Sequence, residues 1–454
     1  MLRALYSGVS GLEQHQTAID VIGNNISNVD TIGYKYSRVN FEDQVSQLQL
    51  AASAPGAIGG NRGGVNPQQV GLGTVTSTID QVMTQGNLQT TGKVTDLALQ
   101  GDGFFITSDG PNVTYTRAGD FDFDSTGSLV NPANGLKVMG WNPTATPGAS
   151  GALNYSINHS SPVQPIQIPS GAVIPPQATT TLTMKGNLDD TIPTSMPTPT
   201  STPNYFETST QVFDSLGNQH FITIKFTHNP APSPTTGSWT WSVENTDPTM
   251  TIAPVASAAG NGNDLSFDQN GLLSMQSPTG GKFDAGGVAL SWNLPDGTTT
   301  STTVTPDFGQ QGQASGITQF ATPATAVVAD QDGYTRGELT GITIDKSGTI
   351  NGVFSNGRQQ LLGQVAIATF TNPAGLMKNG ESGFITTPNS GDAIIRYAGQ
   401  AEAGTITSGA LESSNVDLSQ QFADMIVTER GFQANSKVIT TSDEILQTVL
   451  QLKQ

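Results

Sequence analysis

The chain has 454 residues, which is too long for a single compact core and predicts several domains. Acidic residues outnumber basic ones by 36 to 18, and this formal charge of −18 argues against a surface for nucleic acid or anionic lipid. Cysteine is absent, which excludes disulfides and thiolate metal sites, and no apolar run is long enough to predict insertion into a membrane.

The N-terminal segment has the apolar spacing of an amphipathic helix that pairs with another helix. Apolar residues at alternating steps of three and four form one seam, namely Leu2, Leu5, Val9, Leu12, Ile19 and Ile26. Gln16 occupies the seam position between Leu12 and Ile19. Three glycines, at 8, 11 and 23, each weaken an isolated helix by about 1 kcal/mol, so we expect partners to stabilise it. The segment lacks a compact apolar stretch before a cleavage site, and we expect no cleaved secretory signal.

The C-terminal segment predicts a second and longer helix. Ser414 and Asp417 form a plausible capping box at its start. An apolar residue then recurs every seven positions, at Leu418, Met425, Phe432, Ile439 and Leu446. Four further residues widen the apolar face, namely Phe422, Ile426, Ile445 and Val449. The two terminal helices are therefore predicted to pair as a coiled coil.

The sequence between the helices is typical of β-structure. Alternating segments such as FITIKF at 221–226, WTWSV at 239–243 and QVAIATF at 364–370 predict strands. Five turns share an Asp that accepts backbone hydrogen bonds and a Gly that supplies positive φ: Asp124–Gly127, Asp214–Gly217, Asp268–Gly271, Asp330–Gly333 and Asp345–Gly348. Strand patterns on both sides of a Thr/Ser/Pro-rich centre predict a β-domain built from two distant segments, with another β-domain inserted in it.

Signatures of chemistry are weak throughout the chain. The four histidines, His15, His159, His220 and His228, have no metal-binding spacing, and nucleotide or nucleophile motifs are missing. Asp120, Asp122 and Asp124 resemble the start of a calcium loop, but the sixth and twelfth positions hold Ser125 and Asn131. We therefore favour a solvated strand that leads into a turn, and we expect no enzyme activity, no metal and no cofactor.

Two other motifs have competing interpretations. The glycines of Gly101-Asp-Gly-Phe-Phe105 favour a turn into a strand over a ligand loop. The four tryptophans are compatible with a carbohydrate-binding platform, although buried aromatic residues of β-domains are commoner: Trp141, Trp239, Trp241 and Trp292. A secreted β-rich adhesin or glycan-binding protein is therefore one alternative function.

The two predicted helices would leave apolar faces that no other helix of the chain covers. Burial of apolar surface contributes about 25 cal/mol per Å², which favours contact with other copies of the chain. A head-to-tail contact whose rotation does not close produces an open helical filament. The pattern therefore predicts a homopolymer.

Several segments resemble bacterial flagellar rod and hook proteins. The first is Asn25-Ile-Ser-Asn-Val-Asp-Thr-Ile-Gly-Tyr-Lys35, which is similar to the N-terminal signature of that family. The second comprises residues 411–418, 425–437 and 441–446, which look like the family's C-terminal helix. Residues 101–105, 362–370 and 372–376 resemble its inner β-domain, and the long central insertion resembles the hook branch rather than the shorter rod proteins.

This resemblance implies a hook subunit that self-assembles into a flexible tube, acts as a universal joint between rod and filament, and encloses a channel for exported subunits. The terminal seams would supply the inner packing. A hinge motif of Asn25, Asn28, Thr31, Gly33 and Tyr34 would join the helices to the β-domains. Implied partners are the rod, the hook cap, the hook–filament junction proteins and the type III export apparatus, with export that cleaves no signal peptide. A distal rod or other axial protein is the nearest alternative.

The same resemblance, with the Pro/Gly-rich linkers, predicts four parts. Residues 1–30 and 415–454 form the helical polymerisation domain, and residues 31–72 and 398–414 form an extended connector. Residues 73–145 and 326–397 form an inner β-domain. Residues 146–325 form an outer inserted β-domain.

Overall fold

The computed structural model describes residues 2–54, 63–147, 153–169, 171–194, 203–233, 236–245, 250–254, 264–274, 282–284, 288–293 and 299–451. In these residues the chain is mainly β, with a helix at each end. The predicted fold class, a β-rich chain whose terminal helices contact each other, is confirmed.

The terminal helices are α1, Leu2–Ser27, and α2, Leu418–Gln451. They run antiparallel, because Asn25 near the end of α1 bonds Gln421 near the start of α2. The predicted start of α2 needs correction. Asp417 rather than Ser414 caps this helix, since its Oδ1 accepts the backbone N–H groups of Ser419 and Gln420 at 2.8 and 3.3 Å.

A β-ribbon follows α1 and lies against it. Its strands are β1 Ser37–Asp43, β2 Gln47–Leu50, β3 Gln68–Val70 and β4 Thr74–Gln81. The antiparallel ladder between β1 and β4 runs from Ser37 opposite Gln81 to Asp43 opposite Thr74. This ladder crosses the expected boundary between residues 72 and 73, because β4 pairs with the connector strand β1.

The first half of the inner β-region comprises β5 Leu88–Thr90, β6 Leu97–Gln100, β7 Phe104–Ser108, β8 Val113–Thr116, β9 Asp122–Phe123, β10 Leu129–Val130, β11 Lys137–Trp141, β12 Thr144–Pro147, β13 Leu153–Ser156, β14 Gln164–Pro165 and β15 Val173–Ile174. The glycines before β7 have φ of +106° and +135°, so the predicted turn at Gly101 and Gly103 is confirmed.

An outer region occupies one contiguous stretch of the chain. Its strands are β16 Thr181–Asp189, β17 Tyr205–Phe213, β18 Gln219–Ser233, β19 Thr236–Asn245, β20 Met250–Pro254, β21 Asp264–Phe267, β22 Lys282–Asp284, β23 Val288–Asn293, β24 Thr299–Gln310, β25 Ile317–Phe320 and β26 Val327–Gln331. They form two sheets over one core that includes the buried Trp239, Trp241 and Phe308.

The chain then returns to the inner region with β27 Gly337–Ile344, β28 Thr349–Phe354, β29 Gln359–Thr369, a 3₁₀ turn at Pro373–Gly375, β30 Met377–Gly380, β31 Gly383–Ile385, β32 Ile394–Tyr397, β33 Thr405–Ser408 and β34 Ala410–Glu412. Strand β29 pairs with β7 and β11 from the first half, so one sheet combines both halves of the chain. The strands β14 and β15 pair with inner strands and β26 with an outer one, so pairing crosses the expected limits of the insertion at 146 and 325.

Four of the five predicted Asp–Gly turns are confirmed. Their glycines, Gly127, Gly217, Gly271 and Gly348, have φ between +73° and +86°. The prediction at Asp330–Gly333 is wrong, because Asp330 lies within β26, opposite Thr183. There Asp332, not Asp330, accepts the N–H groups of Thr180 and Thr181, at 2.8 and 3.0 Å.

Candidate assembly surface and helix–sheet joint

The two helices approach each other through glycines. A Cβ atom added at Gly8 would lie 3.0 Å from Cγ1 of Ile439, and one at Gly11 would lie 2.6 Å from Nδ2 of Asn435. On α2, a Cβ at Gly431 would lie 2.6 Å from the ring of His15. These glycines, which weaken an isolated helix, allow close contact in the pair. The coiled-coil prediction assigned the helix contact to larger apolar residues and did not identify the contacts at these glycines.

The predicted seam of α1 lies beside these glycines. Leu5, Leu12, Ile19 and Ile26 are half-buried, while Val9 is 43% exposed. The side chain of Leu2 is outside the described residues. On α2 the heptad residues Met425, Phe432, Ile439 and Leu446 are half-buried, whereas Leu418 and Phe422 are exposed. Polar side chains complete the contact face of α2, since Gln421 and Ser442 are its buried residues.

A set of large apolar side chains on the helices remains exposed. The set comprises Tyr6, Val9, Leu418, Phe422, Ile426, Val427, Val438, Ile445, Val449 and Leu450. Phe422, Ile426 and Val427, at 50%, 59% and 71% exposure, lie within two turns of α2. Exposed apolar surface of this extent is typical of a contact with another protein chain. Among the described residues, no helix is both long and apolar enough to cross a membrane.

Asn25 fastens the end of α1 to β1 and α2. Its buried Nδ2 donates to the carbonyl of Ser37 at 2.8 Å and to Oε1 of Gln421 at 2.9 Å. Its Oδ1 accepts the N–H of Ser37 at 3.0 Å and the hydroxyl of Tyr34 at 3.2 Å. The Asn25 amide therefore forms hydrogen bonds with groups from three segments. A side chain without both a donor and an acceptor would leave some of these groups without a partner.

The other predicted hinge residues shape the turn that follows α1. Nδ2 of Asn28 donates to the carbonyl of Asn24 at 2.8 Å, and the hydroxyl of Thr31 donates to Oδ1 of Asn28 at 3.1 Å. The hydroxyl of Tyr34 also donates to Oδ1 of Asn24 at 2.8 Å. Lys378 of β30 places its Nζ 4.5 Å from the Tyr34 ring centroid. The turn thus contacts both the helix and the inner sheet.

Gly33 brings the backbone of this turn against the inner β-region. Its φ is +68°, and its N–H donates to the carbonyl of Glu412 at 2.8 Å. A Cβ atom there would collide with the backbone nitrogen of Ala118 and lie 2.6 Å from the carbonyl carbon of Arg117. Both the backbone conformation and the contact therefore require glycine.

We expect Gly33→Ala to lower the free energy of unfolding by more than about 2 kcal/mol, because it adds a collision with backbone atoms to the strain of positive φ. Gly92→Ala is the matched control. Gly92 has φ +77° with no heavy atom within 4 Å of an added Cβ, so it reports the strain alone. Urea unfolding of the two variants measures the difference, and equal losses would show that the contact at Ala118 does not constrain residue 33.

A buried charge cluster lies directly behind the turn. Lys35 Nζ is 2.6 Å from Oε1 of Glu412, and Nη1 of Arg117 is 3.4 Å from Oε2 of the same carboxylate. The side chains of Lys35 and Glu412 are fully buried. Lys35 also donates to the carbonyl of Thr84 at 2.7 Å, and the N–H of Gly86 donates to Glu412 at 2.8 Å. Burial lowers the pKa of Lys35 against the opposing attraction of Glu412, and burial also lowers the pKa of Arg117.

Asn415 closes the joint from the side of α2. Its Oδ1 accepts the N–H of Tyr36 at 2.9 Å, and its Nδ2 donates to the carbonyl of Val82 at 2.8 Å. Sequence reasoning did not assign roles to Asn415, Lys35, Glu412 or Arg117. The available signal was the presence of charged residues in turn-forming segments of a chain that is only 12% charged.

The weak chemical motifs acquire structural explanations. Asp122 pairs with Lys93 at 3.0 Å, and Asp124 accepts the N–H groups of Thr126 and Ser128 at 2.8 Å each. Within the described residues, no three His, Asp or Glu side chains are grouped to hold a metal ion.

The tryptophans also have a structural explanation. Trp141, Trp239 and Trp241 are buried and so offer no carbohydrate platform, while the side chain of Trp292 lies outside the described residues.

Four family descriptions match segments that together span most of the chain. They are "Flagella basal body rod protein" at residues 5–35, "Flagellar hook protein FlgE/F/G D1 domain" at 98–187, "Flagellar basal body protein FlaE D2 domain" at 183–334, and "Flagellar basal body rod FlgEFG protein C-terminal" at 407–452. The terminal matches include most of α1, all of α2 and much of the joint.

Full-length relatives agree with these matches. The chain is 42% identical to the flagellar hook protein FlgE of Treponema pallidum and 40% identical to that of Borreliella burgdorferi, with 100% of each chain covered. It is 28% identical to the basal-body rod protein FlgG of Bacillus subtilis, also over 100% of both chains.

A solved structure, the Helicobacter pylori hook protein FlgE2, matches with 15% identity and a TM-score of 0.48, covering 72% of this chain and 100% of that one. The full-length identities of 40% and 42% to hook proteins, not this structural likeness, decide the family. This chain belongs to the family of flagellar hook proteins, the structural subunits of the bacterial flagellar hook.

Proposed function

We propose that this chain self-assembles into a flexible helical tube that transmits torque from the rod to the filament as a universal joint and encloses a channel for exported subunits. The observation that carries the proposal is the set of exposed apolar side chains on two helices that already contact each other. A monomer leaves these side chains in water, and association of copies buries them. The role is structural rather than catalytic.

Within this role, the helix pair forms the polymerisation domain, and the seam residues of α1 and α2 supply its packing. The joint around Asn25, Gly33 and Glu412 holds the β-ribbon and inner sheet at a fixed position on the helices. The outer strands β16–β26 form a separate domain on the outside of the tube. The rod, the hook cap and the hook–filament junction proteins are the neighbours along the axis, and the type III apparatus exports the chain without cleaving a signal peptide.

Electron microscopy of the purified chain, and of a variant lacking residues 1–30 and 415–454, tests the proposal. We expect curved tubes from the full chain and soluble folded monomers from the variant. Circular dichroism of the variant controls for retained β-structure. Monomers from the full chain under all polymerising conditions would contradict self-assembly.

A role in the distal rod is the second candidate, because the rod protein FlgG of Bacillus subtilis also aligns along the whole chain. The higher identity to hook proteins favours the hook. Gold-labelled antibodies on isolated hook–basal bodies distinguish a hook protein from a rod protein. Labelling of the rod alone, with none on the hook, would indicate a rod protein.

A further inference from the structure

A groove opens where α1, β1 and the first turns of α2 meet. Its volume is 540 Å³. Apolar side chains of all three elements line it, among them Ile22, Phe41 and Val427. Its charged lining is Asp417 and Asp424 of α2 and Arg38 of β1, and Arg38 pairs with Asp80 at 3.8 Å. Phe41 is 43% exposed, so the groove presents apolar surface to solvent. We call it the basal groove, because it lies at the joint end of the helix pair.

The opposite end of the pair carries a second exposed apolar surface. This end, which we call the tip, comprises Arg3, Tyr6, Ile445, Val449 and Leu450. Tyr6 is 72% exposed, and Arg3 forms no salt bridge with any described residue. Tyr6 and Ile22 are 16 positions apart in α1, so the tip and the groove are separated by about 24 Å along the helix axis.

We propose that the tip of one copy seats in the basal groove of the next copy along the tube. The two surfaces lie at opposite ends of the helix pair, so a single chain does not bring them together. A contact between different surfaces of identical chains is head-to-tail, and it propagates as an open filament. This inference rests on the proposed self-assembly and specifies which surfaces carry it.

The chemistry of the two surfaces is complementary. Arginine and tyrosine are, with tryptophan, enriched at the energetic centre of protein interfaces. At the groove, Asp424 accepts a hydrogen bond from Gln420 at 2.8 Å and forms no salt bridge with the described residues, so its carboxylate is available to the guanidinium of Arg3. Tyr6 then lies against Phe41 and Val427.

The absence of cysteine from the chain makes disulfide cross-linking a direct test. Tubes of Tyr6→Cys/Val427→Cys, oxidised and run on denaturing gels, should give a ladder of covalent multimers, because a disulfide needs Cα atoms within about 7 Å. The matched control is Tyr6→Cys/Leu216→Cys, since Leu216 is 59% exposed on the outer domain. The control and the single variant Tyr6→Cys should remain monomeric.

Charge exchange provides an independent measurement if the cysteines disturb assembly. Arg3→Asp alone should raise the critical concentration for polymerisation about tenfold, and Arg3→Asp with Asp424→Arg should return it to within about threefold of the unmodified chain.

Tubes that give no ladder from the tip–groove pair, or an equal ladder from the Tyr6→Cys/Leu216→Cys control, would overturn the contact and leave the proposed function standing. Failure of the charge exchange to restore assembly would also overturn it. Failure of the unmodified chain to form tubes would count against the proposed function itself, and the contact would fall with it.

Discussion

Phe422→Asp combined with Ile426→Asp should abolish tube formation while leaving the monomer folded. Both side chains are at least half exposed on α2, so charge there costs the monomer little. Each buried side chain contributes about 1.5–3 kcal/mol to a contact, and a desolvated carboxylate opposes it. Since about 1.4 kcal/mol corresponds to tenfold in an equilibrium, we expect the critical concentration to rise at least about a hundredfold. Sedimentation and electron microscopy measure this rise.

The control is Val173→Asp with Leu216→Asp, which places two charges on exposed apolar positions away from the helices. This control should assemble normally. Aspartate at Met425 and Phe432 should also prevent assembly with the β-domains folded, but those residues are half-buried in the helix pair, so helical content should fall as well. Normal tubes from the Phe422/Ile426 variant would show that this face of α2 lies outside the subunit contacts.

Glu412→Gln should destabilise the folded chain by about 3–5 kcal/mol, the cost of removing one partner from a buried ion pair. The substitution keeps the volume and an acceptor for Gly86, but it removes the carboxylate that pairs with the buried Lys35 and Arg117. Urea unfolding, followed by fluorescence and circular dichroism, measures the loss. The measurement is made in a variant that stays monomeric but keeps α2, so that assembly does not contribute to the unfolding free energy.

Asp122→Asn is the matched control for the loss of one carboxylate charge. Its partner Lys93 lies 3.0 Å away, but both side chains are about half exposed, so this loss should stay below about 1 kcal/mol. Similar unfolding free energies for the two variants would mean that Glu412 does not stabilise the joint through its charge.

The regular parts of the structure follow from patterns in the sequence. Helix α2 was predicted because its apolar residues recur every seven positions, and four Asp–Gly turns were predicted because their glycines need positive φ. The exception at Asp330 shows the limit of a local rule. Pairing with Thr183, 147 positions away in the sequence, holds Asp330 in a strand despite its turn-like neighbours.

The contact between the helices and the joint could not be derived in the same way. A search for large apolar side chains overlooks Gly8 and Gly11, where the absence of a side chain permits the contact. The ion cluster joins Lys35, Arg117 and Glu412, which share no periodicity and come together only through the sheet. The exposed face of α2 was partly predictable, since Phe422 and Ile426 widen its apolar stripe beyond what one partner helix covers.

The joint closes across 377 positions, from Lys35 to Glu412, so it can form only when nearly the whole chain is present. The outer strands are contiguous and can complete their core first. The inner sheet and the joint must wait for β29 and β34, and non-local closure of this kind is slow. A prematurely terminated chain therefore lacks both the ion cluster and α2. Only a copy that contains both ends of the chain can form the paired helices.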